Sequence, residues 1–273
     1  MTQKNIIKEI CSEEGITIEG ISHDYILNLT KNSKTRHIYG GFWDINNAVA
    51  DRIACDKSAC YAVLNKNNVP AIQHELLNNP LLRKGWLGTV STPSSSVWNQ
   101  ALCFFELFNK RVVLKLNEGT MGQDVYYCDN IPALEAAAHA IFTTQPNAAI
   151  SPYYEIKTEY RVFYVNGECP FAYGKTPDYT KSWQHNLAQG AKASEIPENK
   201  KEFINELKTL ANQASKAIGI NFATVDIAEL KTGELLIMEI NSGVQSRYLL
   251  EQLPHLKETI KEIYSTAIKS MFK

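Results

Sequence analysis

Two acidic residues in the last quarter of the chain have the spacing of metal ligands. Asp226 lies in the apolar run 224–230 and Glu239 in the apolar run 235–243, with a turn signal, Lys-Thr-Gly-Glu, at 231–234 between them. If residue 231 pairs with residue 234, counting outward places Asp226 directly opposite Glu239. Asn241 then shares the face of Glu239, because side chains alternate along a strand.

This pairing would bring two negative charges together in an otherwise apolar hairpin, which is unfavourable unless something neutralises them. Mg²⁺ prefers oxygen ligands such as the carboxylates of Asp and Glu and the side-chain carbonyl of Asn. The spacing therefore predicts a metal site made of Asp226, Glu239 and Asn241. A solvated strand face that carries unrelated acids is the alternative.

Two lysines are candidates for binding phosphate groups. Lys115 lies at the end of a predicted buried strand, and the loop 117–124 after it contains two glycines. Backbone N–H groups of such a loop, with a lysine beside them, suit a polyphosphate, although no Gly-Lys-Ser/Thr follows as in a Walker motif. The alternatives are a solvated strand edge for Lys115 and a solvated helix face for Lys57.

A third group of polar residues lies in the middle of the chain. Asn166-Gly167 predicts a tight hairpin in which residue 165 pairs with residue 168, and Glu159 and Arg161 then share one face. A carboxylate suits a ribose hydroxyl and a guanidinium suits phosphate oxygens, whereas a simple ion pair is the alternative. His185-Asn186 precedes a Gly- and Ala-bearing loop that suits close approach to a ligand.

The elements that must position these residues follow from local patterns. Helices are predicted at 4–14, 47–65, 130–144, 198–218 and 256–271, and strands at 16–21, 25–29, 37–40, 111–116, 125–128, 159–165, 168–175, 224–230 and 235–240. The helix at 47–65 carries a predicted apolar stripe of Val49, Ile53, Cys60, Val63 and Leu64.

Composition excludes several classes of protein. The 273 residues carry a net charge of -1, so no basic field favours nucleic acid or a membrane surface as partner. The six cysteines form no Cys-x-x-Cys pair and predict free thiols, and the first residues lack the apolar core of a signal peptide. We therefore expect a cytoplasmic protein.

The motifs also occur in a characteristic order. Along the chain they read Asp-Lys (56–57), Lys-Leu-Asn-Glu-Gly-Thr-Met-Gly (115–122), Glu-Tyr-Arg (159–161), Asn-Leu-Ala-Gln-Gly-Ala (186–191), Val-Asp-Ile (225–227) and Met-Glu-Ile-Asn-Ser (238–242). Over roughly residues 50–250 this order resembles the ATP-grasp superfamily of carboxylate–amine ligases, above all ribosomal-protein glutamate ligases and bacterial glutathione synthetase. Residues 45–70 are also similar to the corresponding region of cyanophycin synthetase.

The resemblance implies an α+β protein with the ATP-grasp fold. A short α+β segment, 1–50, would precede two α+β subdomains, 51–150 and 151–273, that grip a nucleotide between antiparallel sheets. Only about 50 residues precede Asp56-Lys57, where these enzymes usually have a fuller N-terminal domain, and Gly243-Val244 replaces the more usual Pro-Gly. These departures leave ATP binding as the expectation and the substrate open.

The resemblance also implies a role for each matching residue. For the nucleotide, the implied residues are Lys57 and Lys115 at the phosphates, Thr120, Met121 and Gly122 in a closing loop, Tyr153 and Tyr154 at the adenine, and Glu155 or, preferably, Glu159 at the ribose. The implied catalytic residues are Arg161, Lys175 and Asn186. Two Mg²⁺ ions, with Mn²⁺ as a substitute, would bind Asp226, Glu239 and Asn241.

The activity implied is ATP-dependent joining of a carboxylate to the amine of an amino acid or peptide, through an acyl phosphate, with release of ADP and phosphate. An ATP-grasp phosphotransferase acting on an alcohol or sugar, and a non-catalytic ATP-binding module, are the alternatives. The expected partners are small-molecule or peptide substrates, with a homo-oligomer or a partner protein completing the acceptor site.

Overall fold

The computed structural model describes residues 3–80, 94–119, 122–178, 180 and 185–273, without the side chains of residues 94 and 95. The α-helices are α1 Gln3–Glu13, α2 Ala48–Cys55, α3 Lys57–Lys66, α4 Ser94–Leu107, α5 Ile131–Phe142, α6 Lys201–Ile218, α7 Arg247–Gln252 and α8 Lys257–Met271. The strands are β1 Thr17–Ile21, β2 Ile26–Lys31, β3 Lys34–Tyr39, β4 Phe42–Trp43, β5 Glu75–Asn78, β6 Val112–Leu116, β7 Val125–Cys128, β8 Asn147–Pro152, β9 Ile156–Val165, β10 Ala172–Thr176, β11 Lys192–Glu195, β12 Phe222–Leu230 and β13 Leu235–Asn241.

The first strands form a small antiparallel sheet of their own, with the order β1-β2-β3-β4. Alternation along β2 and β3 turns Leu29 and Ile38 inward, where they join a core with Trp43 and Tyr264. Helix α1 contributes its apolar face to this core and packs against α8. Helix α8, the last helix of the chain, and residues of later strands such as Phe163 and Phe222 belong to the same core.

A second antiparallel sheet has the order β5-β8-β6-β7 and packs against α4 and α5. Helix α5 begins as predicted, because Asn130 Oδ1 accepts a hydrogen bond from the backbone N–H of Ala133 at 2.9 Å. Pro132 lies in the first turn, where its missing N–H costs nothing. This sheet carries Lys115 on β6.

The third sheet has the order β11-β10-β9-β12-β13 and carries most of the predicted acids and cations. Its apolar face packs against α6, α2 and α3 in one core. Helix α6 ends at Gly219, which adopts the left-handed conformation (φ +72°) that glycine reaches without strain. Helices α2, α3 and α6 thus cover one face of this sheet and hold its strands in place.

The predicted helix at 47–65 is two helices. Asp56 interrupts the pattern with extended backbone (φ -95°, ψ 107°), and its Oδ1 accepts a hydrogen bond from Ala59 N at 2.8 Å. Asp56 thus ends α2 and caps α3. The spacing of apolar residues, from which one continuous helix was predicted, gives no sign of this break. The predicted stripe is also wrong at Val49, which is 69% exposed, whereas Cys60 and Leu64 are buried.

The two hairpins test the predicted registers. Val165 pairs with Glu168, as Asn166-Gly167 predicts. In β12–β13 the pairing of residue 231 with 234 is wrong, because Leu230 N bonds Glu234 O and Glu229 pairs with Leu235. A register shift between Ile227 and Asp226 nevertheless returns Asp226 to Glu239, since Ile227 pairs with Ile237 and one residue of β13 is left over.

Within the described residues, no helix has the length and apolar character that crossing a bilayer requires. The six cysteines are all free thiols, as predicted, and four of them (Cys11, Cys60, Cys128 and Cys169) are buried.

Candidate active site

One cleft runs between the second and third sheets, and most of the residues singled out in the sequence line it. These are Lys57, Lys115, Gly122, Tyr153, Tyr154, Glu159, Arg161, Lys175, Asn186, Asp226 and Glu239. Thr120 and Met121 lie outside the described residues. Cations and anions from one helix and five strands (α3, β6, β9, β10, β12 and β13) therefore line one cavity.

The predicted metal ligands meet at the floor of this cleft. Asp226 lies directly opposite Glu239 across β12 and β13. The side chain of Asn241 bridges them, with Nδ2 at 3.2 Å from Asp226 Oδ2 and 3.3 Å from Glu239 Oε1. Among the described residues no group of three or more His, Cys, Asp or Glu side chains clusters as a metal site, so the set consists of two carboxylates and one amide. The two carboxylates fit a hard cation such as Mg²⁺, and Asn241 would add an oxygen ligand once its amide turns to present Oδ1 in place of Nδ2.

Asp226 is already held by cations. Arg161 donates two hydrogen bonds to it, from Nε to Oδ1 at 2.7 Å and from Nη2 to Oδ2 at 2.5 Å, and Lys175 Nζ lies 3.1 Å from Oδ1. Burial opposes ionisation of this carboxyl, but Arg161 and Lys175 outweigh that effect and hold the pKa of Asp226 well below its usual range. A metal ion at Asp226 must therefore compete with protein cations.

Glu159 and Lys175 form a second buried pair beside it. They face each other across β9 and β10 and are joined by a salt bridge. Burial raises the pKa of Glu159 to about 7, although the positive charge of Lys175 counteracts part of this rise. Burial and Arg161 act to lower the pKa of Lys175, but Asp226 and Glu159 outweigh them and raise it. Glu159 thus lines the cleft as part of an ion network.

Two lysines project toward the cleft from the other side. Lys57 Nζ donates to Gly119 O at 2.8 Å and lies 4.0 Å from Glu239 Oε2. Burial, with a smaller contribution from Lys57, lowers the pKa of Lys115 to about 8. Neither lysine is a solvated surface residue, because the side chain of Lys57 is 9% exposed and Lys115 is half-buried.

The loop after β6 is fastened to the start of α3. Lys57 N donates to Asn117 O at 3.1 Å, and Ser58 N donates to Asn117 Oδ1 at 3.1 Å. Since Lys57 is the first residue of α3, the helix start fixes both its own lysine and the loop that bears Gly119.

The segment between β8 and β9 lines the cleft with Tyr153 and Tyr154. Tyr153 N donates to Arg111 O at 2.9 Å, and Arg111 lies 4.7 Å above the Tyr153 ring. Tyr154 packs in an apolar cluster with Ile72 and Met238, and all three line the cleft. Such a group of apolar side chains suits a flat aromatic base.

The structure separates the two candidate ribose acids. Glu155 does not belong to the described lining of the cleft, and its carboxylate pairs with Lys231 at 3.0 Å and Arg111 at 3.5 Å. Glu159 does line the cleft. The preference for Glu159 is therefore the one consistent with the geometry, and its role at a ribose stays a prediction.

Asn186 begins a short turn at the cleft edge. Its Oδ1 accepts a hydrogen bond from Ala188 N at 2.9 Å. The turn is fastened to α7 by Gln252, which donates to Ala191 O at 3.0 Å and accepts from Ala193 N at 2.8 Å. Helix α7, which the sequence patterns did not predict, thus fixes this loop.

His185 is a cleft residue that sequence reasoning noted only as part of a loop. Its Nδ1 lies 3.0 Å from Lys175 O, and since a carbonyl only accepts, Nδ1 carries the proton. Burial, aided by the charge of Lys175, lowers the pKa of His185. The ring is therefore neutral, with Nε2 as an acceptor. Its position beside Asn186 was the only signal in the sequence.

Comparisons with known proteins show which sequences and folds this chain resembles. Residues 54–254 match the family model described as the RimK-like ATP-grasp domain. A probable alpha-L-glutamate ligase from Azotobacter vinelandii is 32% identical over 134 residues, which is 48% of this chain and 42% of that protein. A protein of the same description from Picosynechococcus is 33% identical over 134 residues, 48% of this chain and 42% of its own length. The match thus spans less than half the length of these relatives.

Solved structures share the fold at low sequence identity. D-alanine–D-alanine ligase from Bacillus anthracis superposes with a TM-score of 0.61 at 16% identity, over 83% of this chain and 70% of that one. A bifunctional glutathione synthetase from Pasteurella multocida gives 0.54 at 14% identity, over 92% of this chain and 44% of that one. These similarities confirm the predicted α+β architecture.

Proposed function

Since this chain belongs to the RimK-like ATP-grasp family, we propose that it is an ATP-dependent ligase that joins a carboxylate to an amine. The observation that carries the proposal is the pairing of opposite charges in one cleft. Four cations (Lys57, Lys115, Arg161 and Lys175) and three acids (Glu159, Asp226 and Glu239) line it. Such a set suits a polyphosphate that arrives with divalent cations.

In this proposal the nucleotide lies along the cleft. The adenine packs between Tyr154, Ile72 and Met238 and bonds the backbone near Tyr153. Lys57 and Lys115 bind the α- and β-phosphates, while Glu159 lies on the ribose side. Gly119 and Gly122, which also line the cleft, are assigned to the phosphates as well.

The metal set of Asp226, Glu239 and Asn241 would hold two Mg²⁺ ions, or Mn²⁺ in their place. When bound, these ions supply positive charge between the γ-phosphate and the attacking carboxylate. Arg161 and Lys175 are within reach of the same region, because both contact Asp226. They would exchange this contact for the oxygens of the γ-phosphate.

The proposed reaction has two steps. A carboxylate oxygen of the first substrate attacks the γ-phosphorus, the bond to the β-phosphate oxygen breaks, and ADP leaves. The amine nitrogen of the second substrate then attacks the acyl carbon, loses a proton, and displaces phosphate to give the amide. Arg161 would stabilise the oxyanion formed in this step, and Asn186 would bind the acyl phosphate.

The substrates are small molecules or peptides, and L-glutamate is the first to test because the curated relatives carry it in their name. Six free thiols suit a reducing compartment, so we propose a cytoplasmic enzyme. We also propose that a second copy or a partner protein completes the acceptor side.

The test measures ADP and phosphate release from ATP and Mg²⁺ with a panel of amino acids and short peptides. Hydroxylamine is added as a surrogate amine, and mass spectrometry identifies acyl hydroxamates and amides. A ligase gives equal ADP and phosphate and a hydroxamate for the activated acid. ADP without phosphate would point to a phosphotransferase, and no ADP above background with any substrate would contradict both enzymes.

A further inference from the structure

The turn between β3 and β4 of the small N-terminal sheet touches the loop that directly follows Asn241. A side chain at Gly41 would begin 3.2 Å from the backbone carbonyl carbon of Gly243 and 3.1 Å from Gln245 Nε2. The ring of Phe42 lies 3.7 Å from the place where a side chain at Gly243 would begin. The N-terminal sheet and the end of the metal-binding hairpin are therefore in direct van der Waals contact.

The loop beyond Asn241 presents alternate residues to two sides. Ser242, Val244 and Ser246 are buried, and Ser246 Oγ is bonded to Tyr264 Oη at 2.9 Å. Gly243 is half-buried and Gln245 is exposed. Because the inner residues anchor the loop, the outer side at Gly243 and Gln245 is held in place beside Phe42.

Phe42 is not used by the core. It is 38% exposed, whereas its neighbour Trp43 is 2% exposed and packs inward. The turn 40–42 reads Gly-Gly-Phe and carries no charge. An apolar ring thus stands on the surface against Gly243, two residues beyond a predicted metal ligand.

Two arginines that flank this contact along the chain form ion pairs. Arg36 lies 3.6 Å from Asp44 and also bonds the backbone oxygen of Met271. Arg247 bonds Glu251 at 2.8 Å. An apolar side chain of a ligand gains contact with the ring of Phe42, whereas a charged one would lose hydration against the ring.

We infer that Phe42, backed by Gly41 against Gly243, determines which amine the enzyme accepts, and selects an α-amine that carries an apolar side chain. The inference rests on the proposed ligase function, in which the amine approaches the acyl phosphate held near Asn241. Such an amine belongs either to a free amino acid or to the first residue of a peptide.

The experiment compares the wild type with Phe42→Ala, and uses Leu107→Ala as a matched control. Leu107 is an apolar side chain at the end of α4 that is 70% exposed and does not belong to the N-terminal sheet. The acid that gives the strongest hydroxamate signal is held fixed. Acceptors are glycine, serine, leucine, phenylalanine, aspartate and lysine as free amino acids, and each again as the first residue of a dipeptide.

For the wild type we expect higher kcat/KM with leucine or phenylalanine than with glycine, aspartate or lysine. Phe42→Ala should lower kcat/KM for the apolar acceptors by about tenfold, the scale of losing one good apolar contact, and for glycine by less than about twofold. Hydroxamate formation, which involves no amine side chain, should change in Phe42→Ala no more than the rate with glycine does, and Leu107→Ala should behave as the wild type. The amino-acid and dipeptide series decide which source the site prefers.

A second variant, Gly41→Ala, places a methyl group against Gly243 and Gln245. It should raise KM for the amine while leaving the hydroxamate rate intact. The inference is overturned if Phe42→Ala lowers kcat/KM equally for all acceptors, or if it leaves the order of their kcat/KM values unchanged. It is also overturned if the wild type has a higher kcat/KM with charged acceptors than with apolar ones. A wild type that forms no hydroxamate with any acid contradicts the ligase proposal itself, which is a different result.

Discussion

Asp226 and Glu239 face each other across the β12–β13 hairpin although the strand pairing next to the turn is offset by one residue from the pairing of these two. Near the turn Glu229 pairs with Leu235, and beyond the register shift Asp226 pairs with Glu239. The extra residue of β13 at this point is taken up as a bulge. The offset of the pairing at the turn and the bulge in β13 thus compensate each other, and the two carboxylates lie opposite each other.

Glu239→Gln should abolish turnover. The substitution keeps the size of the side chain and removes the charge that a divalent cation needs, so ADP release should fall by at least about a hundredfold. ADP release and its dependence on Mg²⁺ or Mn²⁺ concentration are the measurements. Glu135→Gln, which changes an exposed carboxylate on α5, is the matched control. Full activity of Glu239→Gln would refute the metal assignment.

Affinity for ATP should fall as pH rises through about 8. Burial, together with Lys57, lowers the pKa of Lys115 to about 8, so this side chain is charged below that pH and neutral above it. A bound phosphate would favour the charged form, and binding near pH 8.5 should therefore take up a proton. Calorimetry in buffers of different ionisation enthalpy measures this uptake. Lys115→Met should bind weakly at every pH, and an uptake that persists in it would assign the proton elsewhere.

Removing Lys175 should destabilise the protein strongly. Its ammonium contacts both Glu159 and Asp226 in a buried network. Lys175→Met leaves Glu159 without its partner, and we expect a loss of about 3 kcal/mol in the free energy of unfolding, measured with denaturant. The double variant Lys175→Met/Glu159→Gln should recover part of this loss, because the uncompensated charge is gone. Additive losses would mean that the two side chains are not coupled.

Asp56→Ala should affect both stability and nucleotide binding. Asp56 caps α3, whose first residue is Lys57, so its removal should cost about 1 kcal/mol and loosen that lysine. The KM for ATP should rise several-fold. Asn130→Ala, which removes the cap of α5, should cost a similar free energy without changing the KM for ATP. Equal KM values for the two variants would show that the cap acts only on stability.

The sequence was most informative where local rules act. The start of the helix predicted at 130–144, the end of the helix predicted at 198–218 and the pairing of Val165 with Glu168 all agree with the structure, since each depends on neighbours within a few residues. The opposition of Asp226 and Glu239 was predicted correctly from a turn register that is wrong. A bulge depends on how neighbouring strands and helices pack, so its position cannot be predicted by counting residues along one strand.

The remaining differences arise from contacts between distant parts of the chain. Asp56 interrupts the helix predicted at 47–65, and the start of α3 is bonded to Asn117 in the loop after β6, about sixty residues later in the chain. Glu155 lies outside the described lining of the cleft, and its carboxylate is bound by Lys231 and Arg111. His185 gains its fixed proton position from Lys175, ten residues earlier in the chain.

The contacts of Asp226 with Arg161 and Lys175 set an order of events. Without nucleotide, these cations act as the counter-ions of the carboxylate that a metal would need. An incoming triphosphate offers them a stronger anion, and only their departure leaves Asp226 free. Free Mg²⁺ should therefore bind poorly to the enzyme without nucleotide, and the metal should enter the cleft as a complex with ATP.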